Sequence, residues 1–250
     1  MLMKFVTSFA ALVALNAATA FTGSAAAQEM TVTWQPSYAG SCSGCDLSGR
    51  NFAGIALPGA DYSGANLQYA SMRNVQAEHT NFEAAIAPNV DLRGAALVSA
   101  RFAGAVLTNA RMQYVRANGA DFRNVNLSGA NLQSARLIGS NLALANLSSA
   151  RLEQADFSGA NLTKANFEGA DLNDTILNGA NLAGVQFQDA NLTGAQFEDA
   201  RLQEADLSQA HGIHAANFKG ACGSLSTRLP KDFALPLCAD ISILETIASN

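Results

Sequence analysis

Ala160-Asn161-Leu162-Thr163-Lys164, Ala165-Asn166-Phe167-Glu168-Gly169 and Ala170-Asp171-Leu172-Asn173-Asp174 are three consecutive versions of one five-residue phrase. The phrase runs from Cys45 to Gln209 without losing register, giving 33 units. Its first position is Ala in 22 of them, and otherwise small or β-branched except at Arg50. Its third position is Leu, Phe, Met or Tyr in 30, the exceptions being Ala77, Ala87 and Ala117. A period of five fits neither a helix, near 3.6, nor a strand, at 2. So persistent a misfit makes the unit itself the structural element. Positions one and three are apolar and point inward, whereas Ser, Gly, Asn and Asp collect at four and five. A short extended piece followed by a bend satisfies both facts. Such pieces chain into coils, and stacked coils pair their backbones as an all-β parallel solenoid.

The A-(D/N)-L-x-x pattern over residues 45–209 resembles the pentapeptide-repeat family. That resemblance implies a right-handed quadrilateral parallel β-helix with four units per coil, hence about eight coils. Residues 20 apart then stack, and a strand spacing of ~4.8 Å gives a rod of about 40 Å. Tyr62, Phe82, Phe102 and Phe122 become one inward column, continued by Leu142, Leu162, Leu182 and Leu202. Phe167 lies over Phe187 in another. Asn126, Asn146 and Asn166, like Asn141, Asn161 and Asn181, are predicted to form side-chain ladders. The segment around 75–90, with Ala77, Ile86, Ala87 and Pro88, reads as a distorted coil or as a binding loop. Phase resumes at Val90, and Pro58 and Pro88 both take the fourth position, where a bend tolerates a missing donor.

Residues 1–27 read as a cleavable export signal. Lys4 precedes a mostly apolar run, and Ala25-Ala26-Ala27 offers a small-x-small cleavage site leaving Gln28 first, with Ala18-Thr19-Ala20 as an alternative. The style is bacterial, which points to the periplasm, with the extracellular space as the other destination. Residues 28–44 read as an N-terminal cap, with Trp34 as a plug over the first coil or as a ligand-stacking residue. Residues 210–250 read as a C-terminal cap. Within it Ala216-Asn217-Phe218-Lys219-Gly220 repeats the phrase one residue out of phase. Ile241, Leu244 and Ala248 share one face of a short predicted helix, suited to covering the last coil or to joining a homodimer.

Four cysteines agree with export. Cys42 and Cys45 stand at the start of the repeat and Cys222 and Cys238 after it, so a rod of about 40 Å separates the pairs. A disulfide needs Cα atoms within roughly 7 Å, so only Cys42–Cys45 and Cys222–Cys238 remain within one chain. The C-x-x-C also admits a redox pair or half a metal site, although redox pairs normally open a helix.

Removing Lys4 from 15 basic side chains leaves 14 against 20 acidic ones, net −6. That balance argues against a nucleic-acid binder, which shows a basic stripe. Arg101, Arg111, Arg116, Arg136, Arg151 and Arg201 hold second positions scattered over several faces. His211 and His214 with Asp206 are a candidate metal set, weighed against simple solvation. Phosphate-binding glycine loops and nucleophile elbows are absent from the sequence, and no cofactor is called for. The leading function is therefore an exported, non-enzymatic scaffold that presents rigid faces to an unknown protein partner. The family resemblance implies a second reading, a DNA-mimicking gyrase binder, which an export signal contradicts. Thiol redox chemistry through Cys42 and Cys45 is a third.

Overall fold

A computed structural model describes residues 40–238. The export signal, Trp34 with most of the N-terminal cap, and the 240–248 helix all lie outside the described residues. From Asp46 to Asn191 the second position of every unit pairs in parallel with the residue 20 positions on. The pairings form four columns, named here by their first residues: the Asp46, Asn51, Ala56 and Asp61 faces of a four-sided solenoid.

One unit shows how the backbone is satisfied. Ala160 N–H donates to Phe157 O across the preceding turn (2.9 Å), and Asn161 N–H donates to Ser140 O on the coil below (2.9 Å). Leu162 and Lys164 N–H donate to Asn181 O and Ala183 O on the coil above (both 2.8 Å). The fourth-position donor, Thr163 N–H, has no coil to reach and is taken by Asn161 Oδ1 (3.2 Å). All 18 Asp and Asn residues at second positions from Asp46 to Asp206 make this same bond. In these units the Asx turn completes the accounting of N–H groups, and explains why the phrase wants Asn or Asp there. In two others the donor is taken up by the coil below, Ile138 N–H by Asn118 Oδ1 (3.2 Å) and Glu198 N–H by Asn178 Oδ1 (2.9 Å).

The same rule explains the prolines. Pro58 and Pro88 need no acceptor at the fourth position, and their second positions are Ala56 and Ile86, which offer none. The coil at 75–90 is accordingly regular, not distorted: Ile86 pairs with both Asn66 and Val106, and Tyr69 N–H donates to Pro88 O (3.1 Å). The predicted Asn ladders are replaced for the most part by these turns. Asn161 Nδ2 does donate to Asn141 Oδ1 (3.1 Å), whereas Asn126, Asn146 and Asn166 are each bound to their own turn.

Each corner is a turn of type II, closed by bonds such as Ala165 N–H to Leu162 O (2.9 Å). Its third residue takes φ > 0, from Gly44 at +69° through Lys164 at +57° to Glu204 at +60°. Eighteen of these residues are not glycine. Leu144 (φ +61°) combines a left-handed backbone with an exposed apolar side chain. Replacing it by Gly relieves a penalty of roughly 1–2 kcal/mol, partly offset by the entropy glycine adds to the unfolded chain. Leu144→Gly is therefore expected to raise stability by up to about 1 kcal/mol, read from the urea midpoint.

Inside, first-position alanines and third-position large residues fill the core. Tyr62, Phe82, Phe102 and Phe122 stack at centroid distances of 5.7, 4.8 and 5.0 Å, and Phe167 lies 5.4 Å from Phe187.

The ladder extends beyond the repeat as read from sequence. Gly40 to Gly44 already form a unit, with Cys42 N–H donating to Asp61 O (2.7 Å). Past Gln209 the ladder continues with offsets. Gln196 pairs with Asn217 and Arg201 with Cys222, 21 residues on, and Asp206 with Arg228, 22 on. A 3-10 turn at Ile213–Ala215 takes up the first extra residue. This shift lets Phe218 stack on Phe197 at 4.5 Å.

Candidate functional site

Two disulfides close the ends. Cys42 and Cys45 are joined with Cα atoms 5.4 Å apart. They occupy a third and a next first position, facing inward around a corner whose Cys45 N–H donates to Cys42 O. Elsewhere those positions mostly hold Leu and Ala, so the bridge replaces core packing in the first described unit. Cys222 joins Cys238, Cα atoms 4.7 Å apart, and Leu237 pairs in parallel with Gly223.

The candidate metal residues are not brought together. His211 Nε2 lies 3.9 Å from Asp189, and His214 Nε2 lies 3.0 Å from Asp232. Asp206 takes Ser208 and Arg228 instead. Among the described residues, no three His, Cys, Asp or Glu side chains cluster to hold a metal. No helix among them is long and apolar enough to cross a membrane.

The outward second and fourth positions carry the charge pattern. Arg93 pairs with Asp91 (2.6 Å), Arg123 with Asp121 (2.6 Å), Arg101 with Glu83 (2.7 Å) and Arg151 with Glu153 (2.9 Å). Hydrogen bonds from Arg123 hold the Asp121 carboxyl below its ordinary value of 3.8, against a smaller opposing effect of burial. At Asp91 burial pushes upward most, but the side-chain and backbone bonds from Arg93 and the charges of Arg93 and Arg111 together outweigh it. Asp46, Asp61 and Asp206 are also lowered. Depressed carboxyls stabilise the fold fully above their ordinary value, and that contribution disappears as pH falls through their lower folded values. The melting temperature is expected to hold from about pH 6 to about 4 and to fall below that. Asp121→Asn, which keeps the turn acceptor but not the charge, should flatten part of the acid limb in a melting series from about pH 6 to about 2.

The Asp46 face breaks this charge pattern. Its five successive units 65–69, 85–89, 105–109, 125–129 and 145–149 contain no Asp, Glu, Lys, Arg or His. On the other three faces, units 50–204 never run more than one in succession without such a residue. Within the uncharged run, Ile86 and Val106 replace the usual Asn side by side. Ile86 is half exposed, Tyr69 is 64 % exposed at the adjoining corner, and Pro88 lies between them. The result is an apolar centre in a neutral amide and hydroxyl surface about 20 Å long. Sequence reading missed it because the run exists only after folding by 20; the substitution of Ile86 and Pro88 was the visible trace.

The sequence profile of pentapeptide repeats matches in 8 copies between residues 41 and 222. The chain belongs to the pentapeptide repeat family. Its solenoid is thus the right-handed quadrilateral β-helix of that family. Among solved structures it is similar to HetL of Nostoc sp. strain PCC 7120, a pentapeptide repeat protein involved in heterocyst differentiation regulation. The identity is 27%, covering 77% of this chain and 92% of that one, with a TM-score of 0.39. Rfr23 of Cyanothece 51142 is 30% identical over 44% of this chain and 63% of its own, TM-score 0.31. QnrB1, a plasmid-mediated fluoroquinolone resistance protein, is 19% identical over 74% and 91%, TM-score 0.40. No curated protein sequence matches the chain significantly.

Proposed function

We propose that this pentapeptide repeat protein is an exported, non-enzymatic scaffold whose uncharged Asp46 face docks a protein partner. The observation that carries this reading is the run of five charge-free units, with Tyr69 and Ile86 exposed and Pro88 and Val106 half-buried at its centre. Depletion of charge and enrichment in aromatic and apolar groups mark the centres of protein interfaces. Rigidity supports it further, since a preformed flat face loses little conformational entropy on binding. Two disulfides suit an oxidising compartment, and the periplasm fits the reading of residues 1–27.

A DNA mimic would need rows of carboxylates to imitate phosphates spaced every few ångströms. No column of the described surface stacks two acidic residues on successive coils. The Cys42–Cys45 corner also lacks the helix N-terminus that lowers a redox thiol pKa, which favours a staple.

The test places a photo-crosslinking amino acid at Tyr69 or Ile86 in the full-length protein in its native cells, with Ala143 on the Asp61 face as control. One discrete adduct from the first two and none from Ala143 is the expected result. Equal labelling from all three would remove the docking assignment. Fractionation with N-terminal sequencing should find Gln28 first in the periplasmic protein; an intact Met1 in the cytoplasm would remove the export assignment.

A further inference from the structure

Second-position residues of this solenoid have two ways to gain local stability. Asn and Asp close the turn, and Arg finds a carboxylate. Six arginines hold second positions, and none of them can accept from the fourth-position N–H. Arg101, Arg111 and Arg151 offset this with Glu83, Asp91 and Glu153. Arg201 stands singly between Asn181 and Cys222. Arg116 and Arg136 differ from all of these. They are exposed, they face each other directly on adjacent coils of the Ala56 face, and neither has an ion pair among the described residues. Like charges directly opposed across a ladder are destabilising. The next residue along the column is Asp156, but its Oδ1 accepts from the N–H and hydroxyl of Ser158 and it forms no ion pair with Arg136. Both arginines lack the carboxylate that the other paired arginines find. Arg116 also leaves its turn without an Asx acceptor, whereas the Arg136 turn borrows Asn118 Oδ1 from the adjacent coil (Ile138 N–H, 3.2 Å). Such positions are where function is expected to override stability.

We propose that Arg116 and Arg136 are a docking point for a carboxylate-bearing segment of a partner protein. Two arginines on adjacent coils, whose backbones lie about 4.8 Å apart, present guanidinium forks that match carboxylates. A carboxylate seated between them would turn the repulsion into two ion pairs. The surroundings select a protein over a nucleic acid. Val98 is exposed and Ile138 half-buried in the fourth-position column alongside, giving apolar contact next to the arginines. Glu78 lies beyond one end of the column and Asp156 at the other, so a long polyanion would meet repulsion past the two arginines. The fifth-position column alongside is Gly119, Gly139, Gly159 and Gly179, and nothing crowds the last three, leaving the backbone of a partner room to approach.

This surface is a second one, and it shares with the uncharged face only the premise that the scaffold binds protein. The test uses the purified full-length protein and a fluorescein-labelled peptide with Asp-Glu flanked by leucines. A matching Asn-Gln peptide and a single-stranded oligonucleotide serve as competitors. Arg116→Asn combined with Arg136→Asn should weaken binding of the Asp-Glu peptide about tenfold or more, while Arg101→Asn leaves it unchanged. Binding should weaken with added salt, and neither competitor should displace the peptide. The double variant should also melt about 2 °C higher, because Asn removes the repulsion and, at position 116, supplies a turn acceptor; Ile138 N–H already has Asn118 Oδ1 (3.2 Å). Equal binding by the double variant, or equal affinity for the Asn-Gln peptide, would overturn the proposal. So would tighter binding of the oligonucleotide, or a lower melting temperature in the double variant. Crosslinks from Tyr69 and Ile86 would survive any of these results, so the failure of this docking point is separable from that of the scaffold reading.

Discussion

Leu162→Asp is expected to abolish cooperative folding of the solenoid. Leu162 is fully buried, stacked between Leu142 and Leu182 in the column that continues the aromatic one. Its neighbours at first positions, Ala160 and Ala165, are buried too. Two effects add. Deleting the leucine packing costs roughly 2–5 kcal/mol, and an unpaired carboxylate placed there costs several more unless it is protonated. The sum approaches the whole stability of a typical domain, about 5–15 kcal/mol. The position matters as well as the size of the effect. Each coil touches only its neighbours, so a failure in the middle removes an interface on which both halves lean. Circular dichroism should show a loss of the native melting transition, or a split into two weaker ones. Leu162→Met keeps volume and polarity and should cost less than about 1.5 kcal/mol. A Leu162→Asp protein that melts within a few degrees of the parent would refute the inward assignment of third positions.

The inward columns are legible in sequence because burial acts on side-chain type, and type recurs every five residues. Tyr62, Phe82, Phe102 and Phe122 announce their stacking once four units are assigned to a coil. The turn acceptors are less legible. Asn126, Asn146 and Asn166 line up at intervals of 20, and an interval alone does not distinguish a bond between coils from a bond within a turn. What decides is the leftover fourth-position N–H, which becomes countable only when every other donor has been placed. The prolines are the one sequence clue, since Pro58 and Pro88 fall where Ala56 and Ile86 leave that donor without an acceptor. The two candidate surfaces are illegible for a different reason. A run such as 65–69, 85–89 and 105–109 is broken in sequence by charged units that belong to other faces. Arg116 and Arg136 likewise look scattered among six arginines until the backbone pairing sets them side by side and the ion pairs of the others are known. The C-terminal offset of the phrase at Ala216 is visible as a slip of phase; that the ladder runs through it depends on a turn at Ile213–Ala215 that absorbs the extra residue.

Breaking Cys222–Cys238 is expected to loosen the C-terminal end by about 3 kcal/mol, the chain-entropy value for a loop of roughly 16 residues. The end has unusual need of it. Its pairings run at 21 and 22 residues instead of 20, and among the described residues beyond Leu207 the buried apolar set thins to Ile213 and Ala221. Among the described residues the last turns have no full coil above them. What covers them is the strand fragment at 236–238, held by Gly223 N–H to Pro236 O (2.8 Å) and Cys238 N–H to Gly223 O (2.9 Å). Two backbone bonds contribute only about 1 kcal/mol each, so without the sulfur link the fragment should leave and the ladder fray from that side. Neighbour-only coupling confines the damage. Cys222→Ser with Cys238→Ser should therefore accelerate amide exchange at Asn217 and Arg228 by up to about a hundredfold, and leave Leu127 and Leu147 in the middle of the rod unchanged. The Cys42–Cys45 bridge spans only a few residues and its removal should cost less, roughly 2 kcal/mol, at the opposite end. Unchanged exchange at Arg228 after loss of Cys222–Cys238 would show that side-chain packing of Phe218 and Phe233, whose rings meet edge-on at 4.9 Å, closes the solenoid without the disulfide.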